Sequence, residues 1–162
     1  MMDVKTIVSK VQSSDVFKKW YDEHQSAYLT HVFFMENPDS YDVGYYLKEE
    51  DRMASFGISE TVEFKGFSEV FKHPEHVVEE LDLSTVNISQ DRALETVRKK
   101  QEEEYPQAKP FKRVVILQHL NQGQVWNITY VTDNFKTLNM KVDARTGDIL
   151  EHQMIDIIQK AV

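Results

Sequence analysis

The chain has no cysteine, and only five glycines and four prolines in 162 residues. Without a thiol, disulfides, thiolate nucleophiles and thiolate metal sites are excluded, while the redox compartment stays open. The glycines stand singly, so no glycine-rich loop is present to cradle a phosphate. Gly-x-Ser-x-Gly is missing too, which removes the nucleophile-elbow hydrolases. No apolar run approaches the roughly 20 residues that a membrane-spanning helix needs. The opening residues Met1-Met2-Asp3-Val4-Lys5 lack a basic segment followed by an unbroken apolar stretch. A cytoplasmic location without membrane association is therefore expected.

Positive charge is in short supply: 19 Lys and Arg stand against 27 Asp and Glu, a formal charge of −8. The basic residues are scattered, and a phosphate-backbone binder usually gathers them into a stripe, so nucleic acid is excluded as a partner. The densest charge run is Glu102-Glu103-Glu104, read as a solvated helix end. Acids are mildly unfavourable at a helix C-terminus, and their presence there suits a surface kept for a basic partner. What the chain does have, 41% hydrophobic and 28% charged residues, is the composition of an ordered globular protein. Its length suits one ordinary domain, or two small ones sharing a core.

Periodicity supplies the elements. Val4, Ile7, Val8 and Val11 follow helical spacing over residues 3–12. Ser13-Ser14-Asp15 is a cap-like break, after which Val16, Phe17, Trp20, Tyr21 and His24 restart the stripe. From Tyr28 the period becomes two. Strands are predicted at 28–35, around Tyr41 to Leu47, around Ala54 to Ile58, and from Val62 towards Phe67. Asn37-Pro38-Asp39-Ser40 makes the first turn and Lys48 to Arg52 a charged tip. A connector pinned by Val78, Leu81 and Leu83 leads to Ser89, which caps a helix carrying Ala93, Leu94 and Val97 inward. Ile88 and Ala93 stand in staple positions, and Pro106 stops the helix at Tyr105. Three further strands follow, around Val114 to Leu120, Trp126 to Tyr130 and Leu138 to Val142. The tail from Ile149, with Met154, Ile155, Ile157 and Ile158, fits either a strand or a short helix.

The fold class is thus α+β, a helix packed on an antiparallel meander, and the two halves run in the same order. Tyr41-Asp42-Val43-Gly44-Tyr45 precedes Trp126-Asn127-Ile128-Thr129-Tyr130 by 85 positions and shares its pattern. A one-residue indel then aligns Ala54, Phe56 and Ile58 with Leu138, Met140 and Val142. Two copies at so long a period indicate duplication, not a solenoid. The expected halves are residues 1–84 and 85–162.

The second half resembles a PepSY domain. The resemblance lies in Ile88-Ser89-Gln90-Asp91-Arg92-Ala93-Leu94, in Trp126 to Tyr130, and in the ending Met140-Lys141-Val142-Asp143-Ala144-Arg145-Thr146-Gly147-Asp148-Ile149. It covers about residues 86–152, and residues 1–85 join it only through the repeat. It implies a cystatin-like packing of helix on antiparallel sheet and a non-enzymatic role in inhibiting or regulating peptidases. The Asp-Ala-x-Thr-Gly piece needs no ligand to explain it. Asp143 can accept backbone N–H groups across a turn and Gly147 permits a positive φ. A calcium loop would need alternating oxygen ligands and a distant Glu, which are missing.

No catalytic constellation emerges, and neither a cofactor nor a metal site is expected. His73 and His76 are the only closely spaced imidazoles, and Pro74 prevents the regular helix that would aim both at one ion. His31 stands in apparent register with Leu29, Phe33 and Met35 on a face expected to be buried, where a lone histidine is usually structural. The leading expectation is a non-catalytic module that contacts a protein or peptide, by strand addition at a sheet edge. The competing one is a small-molecule site or enzyme pocket between helix and curved sheet. Its candidate lining is His31, Tyr45, Trp126 and Tyr130, with Tyr28 beside them. Homodimerisation through an edge or through the tail from Met154 to Val162 is a third.

Overall fold

The computed structural model describes residues 2–70 and 77–156. His73, His76, Ile157 and Ile158 lie outside the described residues. The chain opens with helix α1, Val4–Ser13, capped by the Asp3 carboxylate, which accepts the Lys5 and Thr6 amides. Ser14 ends that helix and begins α2, Asp15–Asp22. Its hydroxyl donates to the Val11 carbonyl at 2.6 Å and accepts the Phe17 amide at 3.2 Å. One serine thus serves two orphaned backbone groups, and the break read at Ser13-Ser14-Asp15 is a helix-to-helix corner.

Strands β1, Tyr28–Met35, β2, Tyr41–Leu47, β3, Arg52–Ile58, and β4, Val62–Glu69, form a meander. A connector with a short 3-10 turn at Leu83–Thr85 leads to α3, Gln90–Glu104, capped by Ser89. The second meander is β5, Pro110–Leu120, β6, Gly123–Thr132, β7, Lys136–Asp143, and β8, Ile149–Asp156. The last segment is therefore a strand through Asp156. Among the described residues the strands form one antiparallel sheet in the order β4-β3-β2-β1-β5-β6-β7-β8.

The two meanders meet at β1 and β5, whose register runs from His31 opposite Gln118 to Met35 opposite Val114, with Phe33 opposite Ile116 at its centre. Val32 and Phe34 of β1 and Val115 and Leu117 of β5 turn inward and are fully buried. Tyr41, Val43 and Tyr45 on β2 and Trp126, Ile128 and Tyr130 on β6 are buried at the positions that the 85-residue spacing equates. Ala54, Phe56 and Ile58 on β3 likewise match Leu138, Met140 and Val142 on β7. All three helices lie on this face, and their apolar residues join the inward strand positions in one continuous core.

The entry to α3 is tied to the sheet by the Asp143-to-Gly147 turn. Asp143 accepts the Arg145 amide at 2.8 Å and the Thr146 amide at 3.3 Å, and Gly147 closes the turn with φ of 87°. Ala144 between them is fully buried, and its carbonyl accepts the Asn87 and Ile88 amides at 2.9 Å each. Its own amide donates to the Gln124 carbonyl at 2.9 Å, and the Trp126 indole donates to the Ile88 carbonyl at 2.9 Å. The turn that looked purely local in sequence is a clasp between sheet and helix.

Because the core crosses the β1–β5 seam, Leu117→Ala should lower the unfolding free energy by about 2–5 kcal/mol. The fluorescence of Trp20 and of Trp126, read separately in Trp126→Phe and Trp20→Phe backgrounds, should report coincident urea transitions. Two separate transitions would show that the meanders unfold independently.

Candidate binding surfaces

Each half of the molecule carries a cleft between its helices and its sheet, bordered by the tyrosine that the repeat equates. In the first half the cleft is about 330 Å³ and is lined by Gln12, Phe17, Tyr21, Leu29, Tyr45 and Glu80, among others. A second space of about 460 Å³ adjoins it, sharing Gln12, Leu29 and Glu80 and adding Val8, Leu81 and Asp82. Tyr45 is 2% exposed, and its ring lies 4.9 Å from that of Phe17. Burial pushes its phenol up to about 12, against the opposing effect of the Gln12 amide, which donates to it at 3.0 Å. Tyr45 is therefore a neutral hydroxyl at any physiological pH.

In the second half a cleft of about 300 Å³ lies between α3, the end of β1 and strands β5 and β6. Arg113 ion-pairs with Glu36 at 2.6 Å across the seam, and its guanidinium stands 5.2 Å from the centre of the Tyr130 ring. Burial raises the Tyr130 phenol above its usual value, and Arg113 opposes that rise. Arg98 is held by Glu95 at 2.5 Å and Glu102 at 2.7 Å on the exposed face of α3. Both cations of this cleft are thus already matched by carboxylates of the chain. No group of three or more His, Asp or Glu among the described residues is placed to hold a metal ion.

The opposite face of the sheet is organised by a bulge. Leu29 pairs with Tyr45 and His31 with Gly44, so Thr30 is an extra residue in β1. The expected register placed His31 with Leu29. The bulge instead leaves Leu29 in the core and sends His31 to the helix-free face with Phe33, where it is half-buried. Its ring lies flat over Gly44, and a Cβ at that position would fall 2.0 Å from the His31 Cε1. Nδ1 is 2.9 Å from the Thr30 hydroxyl, which in turn donates to the Gly44 carbonyl at 3.2 Å. Burial holds the His31 pKa below 6.5, and the nearby Asp42 carboxylate works the other way. Asp42 is itself paired with Lys65 at 2.9 Å, whose stem crosses over Gly57.

The four residues proposed as a lining are therefore placed in four positions and not around one cavity. Tyr45 borders the first cleft, and Tyr28 is also in its lining, though the Tyr28 ring packs edge-on against Tyr46 at 5.6 Å. Tyr130 borders the second cleft, and Trp126 is fully buried near the α3 entry. His31 lies on the far face. Gln12, Glu80, Glu36 and Arg113 were not singled out from the sequence. Their roles depend on the helix corner, on the path of the connector and on the β1–β5 register, and only the first of these has a local signal, the break at Ser13-Ser14-Asp15.

The outermost strands, β4 and β8, differ in character. β4 is bulged between its pairings with Ser55 and Phe56, carries Gly66 at φ of 104°, and bears Glu63, Lys65 and Glu69. Bulges and charges of this kind blunt an edge. β8 has a bulge of its own at Leu150, and beyond it keeps a regular register from Glu151 opposite Lys141 to Asp156 opposite Lys136. Beside it the end of α3 leaves a groove of about 210 Å³ that includes Tyr105, Ala108, Lys136 and Met154. The Tyr105 hydroxyl and His152 Nδ1 lie 2.6 Å apart, linking the helix end to the edge strand.

A helix on an antiparallel sheet, clasped by an Asp-Ala-x-Thr-Gly turn, defines the class. Residues 87–153 match the PepSY family, described as Peptidase propeptide and YPEB domain, so the second half of the chain is a PepSY domain. The whole fold is similar to a crystal structure of a putative lipoprotein from Clostridium difficile 630. That likeness has a TM-score of 0.56 at 14% identity, and it covers 90% of this chain and 94% of that one. No curated protein matches the chain. No helix among the described residues is long and apolar enough to cross a membrane.

The His31 notch yields a pH dependence with a defined sign. The folded state holds the His31 pKa below 6.5. Protons then bind the unfolded chain first, so stability is full above about pH 6.5 and falls as the pH drops towards the folded-state value. His31→Asn should flatten that part of the stability profile. Gly44→Ala should destabilise in a His31 background and much less in His31→Ala, as read by urea titration of the double-mutant cycle.

Proposed function

We propose that this chain is a non-catalytic regulatory module that takes up an extended segment of a partner protein along β8, continuing the sheet by one strand. The observation that carries the reading is the β8 edge itself: five residue spacings in regular register, no bulge within them, and a groove alongside to receive side chains. In strand addition, main-chain hydrogen bonds at a sheet edge supply affinity, and pockets beside the edge supply selectivity. The PepSY domain supports the same reading, because such domains are generally non-catalytic and often bind proteases. On that basis the partner is a peptidase, bound so as to inhibit or restrain it.

We also read the two halves as copies of one ancestral unit, on the matched burial of β2 with β6 and of β3 with β7. The first copy then acts as a brace: it occupies the β5 edge through β1 and leaves β8 as the open side. Its own outer strand, β4, is bulged and charged.

Selection from a displayed library of extended hexapeptides tests the proposal. Bound peptides should protect backbone amides within residues 149–156 from hydrogen exchange. Proline removes one N–H from a strand, and successive residues of β8 point their N–H groups alternately to β7 and outward. Of Gln153→Pro and Met154→Pro, the one that deletes an outward N–H should weaken binding by about tenfold while leaving the fold intact. Protection that appears on β4 or on the His31 face, with β8 unchanged, would refute strand addition at this edge.

A further inference from the structure

We infer that the helix-free face of the sheet docks on the same face of a second copy of this chain, forming a symmetric dimer of two stacked sheets. The inference goes beyond the strand-addition reading and does not depend on it, because stacking leaves β8 an edge. An antiparallel sheet with one face on solvent alternates apolar residues inside with polar residues outside. The two seam strands break that rule. Phe33 and Met35 of β1 lie beside Ile116 and Val114 of β5 on the helix-free face, with Val131 of β6 near them, and all are half-buried. Their inward neighbours Val32, Phe34, Val115 and Leu117 are fully buried. Both strands are therefore apolar on both faces, as strands covered from two sides are.

The apolar patch sits at the middle of the sheet and its flanks are charged, which is the plan of an interface with an apolar core and a polar rim. Eight strands, spaced about 4.8 Å apart and about seven residues long, present roughly 800 Å² on one face. That is about the area each partner gives to a stable interface. The charges select a second copy as the occupant. In the first half Lys65 of β4 pairs with Asp42 of β2 at 2.9 Å, and in the second Lys141 of β7 pairs with Glu151 of β8 at 3.1 Å. Across the sheet the order is plus, minus, seam, plus, minus. A two-fold axis along the strands, set over the β1–β5 seam, reverses that order in the second copy. Glu151 of each copy then faces Lys65 of the other, and Lys141 faces the neighbourhood of Asp42. At the axis Phe33 and Met35 meet Ile116 and Val114 of the other copy, because these residues are register partners across the seam. An axis across the strands would instead set like charge on like.

Sedimentation equilibrium of the full chain, from micromolar to sub-millimolar concentration, tests the inference, and the mass should approach that of two chains. Ile116→Lys sets an ammonium beside the axis twice per dimer and should weaken association about a hundredfold, tenfold for each copy, while the urea midpoint stays near that of the parent. A second variant exchanges the charges of one in-chain pair, Asp42→Lys with Lys65→Asp, so that the pair is kept and its order reversed. It should weaken the dimer about tenfold, and adding Lys141→Glu with Glu151→Lys should restore it. If Ile116→Lys does not fold, the exchange and its rescue decide alone. A chain that stays monomeric throughout, a dimer that persists in folded Ile116→Lys, or an exchange without effect or without rescue would each overturn the inference. A dimer that persists in Ile116→Lys and is lost with Gln153→Pro or Met154→Pro would assign association to the β8 edge and overturn it likewise.

Discussion

The antiparallel pairing of β1 with β5 is the constraint on which the molecule depends. Each meander alone would be a four-stranded sheet with an apolar face and two open edges. Joining them at this seam covers one edge of each and lets Val32, Phe34, Val115 and Leu117 meet under a common set of helices. The pairing is centred on Phe33 and Ile116, and the inward residues on either side of that pair face one another in reverse order. Two similar units can pair in this self-complementary way because an antiparallel ladder looks the same from either strand. The consequence for the sheet is directional. Once the inner edges are consumed, the outer strands β4 and β8 are the edges of the sheet among the described residues.

Much of this was legible in the sequence because the signals were periodic and local. The helix stripe of Val4, Ile7, Val8 and Val11, the alternation of Trp126, Ile128 and Tyr130, the Ser89 cap and the Pro106 stop each state their own geometry within a few residues. The turn at Asp143 to Gly147 was read correctly as hydrogen-bonded and glycine-closed. What lay beyond reach was anything set by distant segments. His31 looked like a core position because alternation was assumed unbroken. A single inserted residue at Thr30 reversed the face of every strand residue on one side of it, as period-two register dictates. The bulge has no sequence mark of its own, and its only trace is Gly44, which leaves space for the imidazole.

The clefts teach the same lesson from the other side. The competing reading from sequence imagined one pocket collecting Tyr45, Trp126 and Tyr130. These residues do lie on the helix-facing side of the sheet, but the strand order separates the first from the other two by β1 and β5. What surrounds Tyr45 instead comes from the helix corner and from the connector, through Gln12, Tyr21 and Glu80. Polar residues at rims carry no periodic signature, so they emerge only when the path of the chain is known. Arg113 and Glu36 illustrate it sharply, because strands of different halves bring them within 2.6 Å.

Ala144 bears on how the molecule comes apart. Its N–H and C=O are both engaged, and its methyl is wholly enclosed. Two separate pieces of chain, the residues preceding α3 and the β5–β6 hairpin, are thereby moored to one alanine. Either can leave only by giving up hydrogen bonds to a residue that is closed to solvent. Partial opening of the PepSY half should therefore start at the far end of α3, near Tyr105, leaving the moored end as the last part to lose its order. The β8 margin lies beside the end that loosens first, joined to it through the Tyr105 hydroxyl and His152.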